Sequence, residues 1–312
     1  MVMPTIAPAP SFNPEKDAEA LKKAMKGLGT DEKTIINILT NRTSSQRQAI
    51  LRVYNEDRDL IKDLKKDLSG KFEDLVIAMM TPMDRYLAME LHRAMDGAGT
   101  DEDVLIEILC TRDNASLREI SKAYEDVYGQ SLYLAIKKET SSDFEKLLLD
   151  LCRCDRAEGS ADKEMAPSFV KKLYKAGEGR RGADEDEIRR ILANCSFETL
   201  RHVFDLYRKE NGKTFGEVID KELEGDFRRG MLAVYETIWN TPSYFAQAIH
   251  KALAGMGTDD RTLIRLLISR SEIDLHSIKK EYEVIYNKSL EKDIKGDTSG
   301  YYEKMLLAII KE

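Results

Sequence analysis

The sequence predicts an all-α protein of four repeats, each holding five helices. Two observations carry that expectation. Apolar residues recur at helical spacing along nearly the whole chain, while the strict alternation of a half-buried strand is scarce. A short glycine turn also appears four times, each followed 42 to 45 residues later by a carboxylate. The turns are Met25-Lys-Gly27-Leu-Gly29-Thr30-Asp31, Met95-Asp-Gly97-Ala-Gly99-Thr100-Asp101, Gly177-Glu-Gly-Arg180-Arg-Gly182-Ala-Asp184 and Leu253-Ala-Gly255-Met-Gly257-Thr258-Asp259. The carboxylates open a second echo: Asp67-Leu-Ser-Gly70, Glu139-Thr-Ser-Ser142, Glu222-Leu-Glu-Gly225 and Asp297-Thr-Ser-Gly300, each with an aromatic residue two positions on.

Within the first repeat, Ala18, Leu21, Ala24 and Met25 fall on one helical face. A second helix carries Ile35, Ile36, Ile38 and Leu39. The hydroxyl-rich Asn41-Arg-Thr-Ser-Ser45 suits the N-cap of a third. A shorter fourth holds Leu60, Ile61 and Leu64, and a fifth runs from Phe72 to Met80. Prolines break the chain near Thr81-Pro82 and Thr241-Pro242, because the residue before a proline disfavours helix. The polar stretch from Asp155 to Pro167 reads as a linker. The divisions are therefore an arm at 1–12, repeats at 13–81 and 82–154, a linker at 155–166, and repeats at 167–241 and 242–312.

Bulk properties narrow the function. The 312 residues carry a net charge of −7, and no basic stripe is present to grip nucleic acid. No apolar run is long enough to span a bilayer, and the first residues show no secretory signal. Four cysteines (Cys110, Cys152, Cys154, Cys195) suit reduced thiols, so a cytoplasmic protein is expected. Anionic membrane would repel the bare chain. Four divalent cations would add +8 to −7, giving a formal +1.

The turns supply the means to hold such cations. A helix that stops at a glycine turn leaves carbonyls without helical partners, and glycines at alternate positions let the backbone curl so that those oxygens converge. Thr30 is placed to cap the next helix, with Asp31 and Glu32 at its positive end. Carbonyls alone bring no net charge; the distant carboxylate provides it. Together they give about five oxygens where calcium takes six to eight, leaving places for water or an outside oxygen. One such turn would be read as a plain helix–turn–helix. Four in register with four carboxylates are not.

With these motifs combined, the sequence closely resembles the annexin family from about residue 12 to residue 310. Leu263-Ile-Arg-Leu-Leu-Ile-Ser-Arg-Ser-Glu-Ile-Asp274 adds to the likeness. The resemblance implies a curved disc of five-helix modules with calcium loops on the convex face, docking reversibly on anionic phospholipid with phosphatidylserine-like headgroups. By position it implies calcium ligands at the carbonyls of Met25, Gly27 and Gly29 with Asp67, and of Met95, Gly97 and Gly99 with Glu139. In repeat three it implies Gly177, Arg180 and Gly182 with Glu222, and in repeat four Leu253, Gly255 and Gly257 with Asp297. It places Leu28, Ala98, Arg181 and Met256 against lipid, and it leaves self-association on the membrane open.

This chain departs from the family pattern in places. Asp67 is shorter than the usual Glu, Ser142 stands for a glycine, and Ala183 for the capping Thr. Arg180-Arg181 suits phosphate better than acyl chains, and Cys195 replaces an arginine matched by Arg42, Arg112 and Arg270. Trp239 and Met79, Met80 and Met305 are expected in the core. His92, His202, His250 and His276 show no metal-ligand spacing. Rival readings are a helical scaffold for protein partners and an ion-conducting assembly built on Glu107, Arg112, Arg265 and Arg270. An enzyme is not expected, since no nucleophile–base constellation is visible.

Overall fold

The computed structural model describes residues 3–27, 29–255 and 257–311. Every regular element among them is an α-helix. Repeat one supplies α1 (Pro14–Ala24), α2 (Glu32–Leu39), α3 (Ser44–Tyr54), α4 (Leu60–Asp67) and α5 (Gly70–Met80). Repeat two supplies α6 (Met83–Met95), α7 (Glu102–Leu109), α8 (Asn114–Tyr128), α9 (Leu132–Glu139) and α10 (Ser142–Cys152). Repeat three follows with α11 (Ala166–Ala176), α12 (Glu185–Asn194), α13 (Phe197–Asn211) and α14 (Phe215–Glu222). The long α15 (Gly225–Leu253) serves repeats three and four, and α16 (Asp260–Ser271), α17 (Leu275–Tyr286), α18 (Leu290–Asp297) and α19 (Gly300–Ile309) complete the chain.

Caps explain where these helices begin. Asn13, Thr43, Asp59, Asp113, Ser131, Ser196, Thr214 and Ser289 each accept a bond from a first-turn backbone N–H. At Thr81 the chain is extended before Pro82, whereas α15 passes Pro242 with one non-helical residue, Asn240 (φ −152°, ψ 85°). That single kink separates two five-helix sets.

The chain divides into two compact units, residues 1–86 with 242–312, and residues 87–241. In the first, Leu21, Ile35, Leu39, Tyr54, Leu266 and Met305 are fully buried, each contributing about 1.5–3 kcal/mol by leaving water. Arg47, 2% exposed, donates to the carbonyls of Met79 (2.8 Å) and Leu39 (3.2 Å) and to Glu272 Oε1 (3.0 Å). The arm is pinned along this unit. The backbone amides of Thr5 and Ile6 donate to Ser271 O, the Ala9 amide donates to Gln46 Oε1, and Ile6 is buried.

In the second unit α15 lies close on α10, because Gly230 has no Cβ to meet Leu147 Cδ2 at 2.9 Å. The stretch 155–166 lies inside this unit, not between the two. Its Arg156 is buried and donates to the carbonyls of Leu192 and Cys195, both at 2.7 Å. Cys195 sits where other repeats carry arginine: Arg112 donates to the carbonyls closing α7. Arg156 thus brings a guanidinium to the end of α12 from outside that helix.

Two expectations are corrected. Trp239 is not core; it is 39% exposed and stacks on Tyr235 with centroids 6.3 Å apart. Thr30 does not cap α2, as described below. Met79, Met80 and Met305 are buried as expected.

Candidate metal centre

The turn of repeat two shows the design fully, since all its residues are described. Gly97 and Gly99 hold φ of 117° and 107°, a region closed to L side chains without strain. The loop is closed by the Asp101 amide donating back to Ala94 O at 2.8 Å. The carbonyls of Met95, Gly97 and Gly99 accept no hydrogen bond from the described residues. The same closure recurs as Asp31 to Ala24 (2.8 Å), Asp184 to Ala176 (2.7 Å) and Asp259 to Ala252 (2.8 Å). In repeat three the carbonyls of Gly177, Arg180 and Gly182 are likewise free of donors among the described residues.

Asp31, Asp101, Asp184 and Asp259, not the preceding threonines, are the N-caps, accepting from Thr34, Val104, Glu187 and Thr262. Those bonds hold the Asp31 carboxyl below the usual range, the Thr34 hydroxyl contributing most. The threonine hydroxyls turn the other way. Thr30 Oγ1 donates to the carbonyl of Asp67 (3.5 Å), Thr100 to that of Glu139 (3.1 Å) and Thr258 to that of Asp297 (3.3 Å). The glycine turns of repeats one, two and four are therefore each tied to their own carboxylate residue. Ala183 has no hydroxyl, so what repeat three lacks is this tie, and its cap is intact.

Past Asp67, Glu139 and Asp297 the chain extends for two residues, Leu223 is extended past Glu222, and all four then turn left-handed. Gly70, Gly225 and Gly300 take φ of 61°, 60° and 68°, and Ser142 is forced to 59°. Glu139 and Glu222 are 23% and 17% exposed, each paired with the lysine before it, Lys138 (2.8 Å) and Lys221 (2.9 Å). Asp297 follows Gly296 instead. Among the described residues no group of three or more His, Cys, Asp or Glu side chains could hold a metal. The donors on offer are hard oxygens, mostly uncharged carbonyls, a set that fits calcium and not a soft thiolate- or imidazole-seeking ion.

Ala98 and Arg181 are exposed at their tips; Leu28 and Met256 lie outside the described residues. Between repeats two and three a cleft of about 340 Å³ is lined by Glu102, Glu139, Asp143, Glu185, Glu224 and Asp226. There burial, and then the hydrogen bond to Asp143, raise the Glu185 carboxyl. Asp143 is lowered, first by the bond from Lys146 at 2.8 Å. Glu107 and Arg265 are buried, and Arg270 pairs with Asp274 at 2.6 Å in the first unit. Among the described residues no helix is long and apolar enough to cross a membrane.

The family model described as Annexin matches residues 16–79, 86–151, 168–234 and 244–309. Annexin A11 of Oryctolagus cuniculus is 46% identical over 98% of this chain, which spans 61% of that relative's length. The solved structure titled annexin III superposes with a TM-score of 0.96 at 46% identity, covering 99% of this chain and 97% of that one. The structure of calcium-bound annexin (Sm)1 gives 0.93 at 37% identity, covering 100% and 93%.

Proposed function

Because the chain belongs to the annexin family, we propose that it binds anionic phospholipid membranes in a calcium-dependent manner, without catalysis. Each Ca²⁺ is gripped by turn carbonyls and one carboxylate: Met25, Gly27, Gly29 and Asp67; Met95, Gly97, Gly99 and Glu139; Gly177, Arg180, Gly182 and Glu222; Leu253, Gly255, Gly257 and Asp297. A lipid phosphate fills the remaining coordination. The observation that carries this reading is the threonine tie, which within each of repeats one, two and four joins the glycine turn to its own charge-bearing residue.

Ligand energetics follow from charge. A site of one carboxylate and neutral carbonyls holds calcium weakly, and a phosphate oxygen adds both a ligand and a charge. Lipid then raises calcium affinity by the factor with which calcium raises lipid affinity. Lys138 and Lys221 must release Glu139 and Glu222 as the ion enters, so calcium displaces an ammonium there. Leu28, Ala98, Arg181 and Met256 are the residues set against the bilayer.

Co-sedimentation with phosphatidylserine vesicles tests the reading. Binding should appear with calcium and vanish in EGTA, and the combined variant Glu139→Ala, Glu222→Ala, Asp297→Ala should need at least tenfold more calcium. Binding to phosphatidylserine indifferent to calcium would reject it.

A further inference from the structure

We infer that the turn of repeat three is a second kind of membrane contact, a site for the phosphomonoester groups of a lipid headgroup that works without calcium. It rests on the membrane-docking reading and adds to it a ligand class and a way of binding at resting calcium.

The four turns are copies of one another, so three serve as controls for the fourth. Between helix end and capping aspartate, repeat one carries a single charged side chain, Lys26, and repeat two a single Asp96. Repeat four carries none. Repeat three carries Glu178, Arg180 and Arg181. Glu178 is committed to the protein: it accepts from Tyr207 OH at 2.8 Å and pairs with Lys213. Burial opposes its charge, but the bonds from Lys213 and Tyr207 outweigh that and keep it ionised.

The two arginines are left facing outward. Both are exposed. Arg180 reaches Asp184 Oδ2 at 3.2 Å, a contact between half-exposed groups that water screens, while Asp184 Oδ1 caps α12. No carboxylate among the described residues pairs with Arg181. The loop beneath them is fixed. The Gly179 amide donates to Tyr174 O at 2.7 Å, and a Cβ at Gly177 would meet Val218 Cγ1 at 2.7 Å. Adjacent guanidiniums on a fixed turn suit a phosphomonoester, which offers several charged oxygens to bidentate donors.

The same repeat is the one whose calcium cluster lacks the threonine tie, because Ala183 stands at that place. Loss of the tie weakens the hold on the ion, while gain of the arginines supplies positive charge that needs no ion. Both changes fall in one turn and point the same way.

The test uses the full chain in EGTA with vesicles of phosphatidylcholine carrying about 5 mol% of a phosphatidylinositol bisphosphate. Wild type should sediment with them. Arg180→Ala/Arg181→Ala should bind on the order of twentyfold more weakly, about fivefold per basic residue at a membrane surface, with Arg180→Lys/Arg181→Lys intermediate because lysine lacks the fork. Thermal melts of each variant confirm folding. Absence of wild-type binding in EGTA, or equal binding by the alanine variant, would overturn the inference. Equal affinity for soluble inositol trisphosphate would overturn its lipid source. Loss of calcium-dependent binding to phosphatidylserine by wild type is a different result, and it removes the docking reading itself.

Discussion

Thr100 donates its hydroxyl to the main-chain carbonyl of Glu139, 3.1 Å away and 39 residues later in the chain. That bond joins the glycine turn to the residue we propose supplies the site's charge. A neutral hydrogen bond contributes about 0.5–1.5 kcal/mol, so Thr100→Val should weaken calcium at repeat two by roughly twofold to tenfold. Ala183→Thr should strengthen repeat three by a similar factor. Lanthanide luminescence resolved by site would show both, and unchanged affinities would mean the tie is ornamental.

Ser142 holds φ of 59° where the other three repeats have glycine. A left-handed non-glycine residue costs about 1–2 kcal/mol. Ser142→Gly should therefore stabilise the protein by about 1 kcal/mol in urea unfolding, after the added freedom of glycine in the unfolded chain. A loss of stability would show that the Ser142 side chain does something the backbone angle does not reveal.

Arg156 reaches the carbonyls of Leu192 and Cys195, and burial lowers its guanidinium to about 10. Arg156→Met keeps much of the volume and strands two buried acceptors, at about 1–3 kcal/mol each. We expect about 3 kcal/mol of destabilisation in urea. Cys195→Arg in that background should return part of it, since the guanidinium would then come from the position other repeats use. No recovery would show that Arg156 does not stand in for the missing arginine.

Glu185 and Asp143 face each other across the cleft between repeats two and three. The folded protein raises the Glu185 carboxyl above its ordinary 4.5 through burial and then through Asp143. A raised folded value means the folded state binds the proton more tightly, so the stability from this group is present in acid. It is lost as pH rises through the raised value. Asp143→Asn removes the facing charge and should move the Glu185 titration to lower pH in carboxyl-carbon NMR. An unmoved titration would assign the shift to burial alone.

Much of this arrangement was legible in the sequence. The four turns and four carboxylates were visible as coupled repeats, because a glycine at a left-handed position and an acid at fixed distance leave a pattern in composition. The role of Thr30, Thr100 and Thr258 was not. Threonine before an acidic helix start reads as a cap, and only the folded geometry shows aspartate taking that place while the hydroxyl turns to a strand of chain some 40 residues away. The partner of Cys195 was hidden for a related reason. Arg156 lies in a polar stretch that looks like spacer, and nothing local marks a residue whose contacts are all long-range. Trp239 lay in an apolar helix, yet helical spacing alone did not tell which of its faces the neighbouring helices cover.

The account depends most on calcium and lipid meeting at one ion, and isothermal titration measures that directly. Calcium titrated into the protein alone should give weak binding, and in excess phosphatidylserine vesicles the apparent affinity should rise at least tenfold. An affinity that vesicles leave unchanged would contradict it.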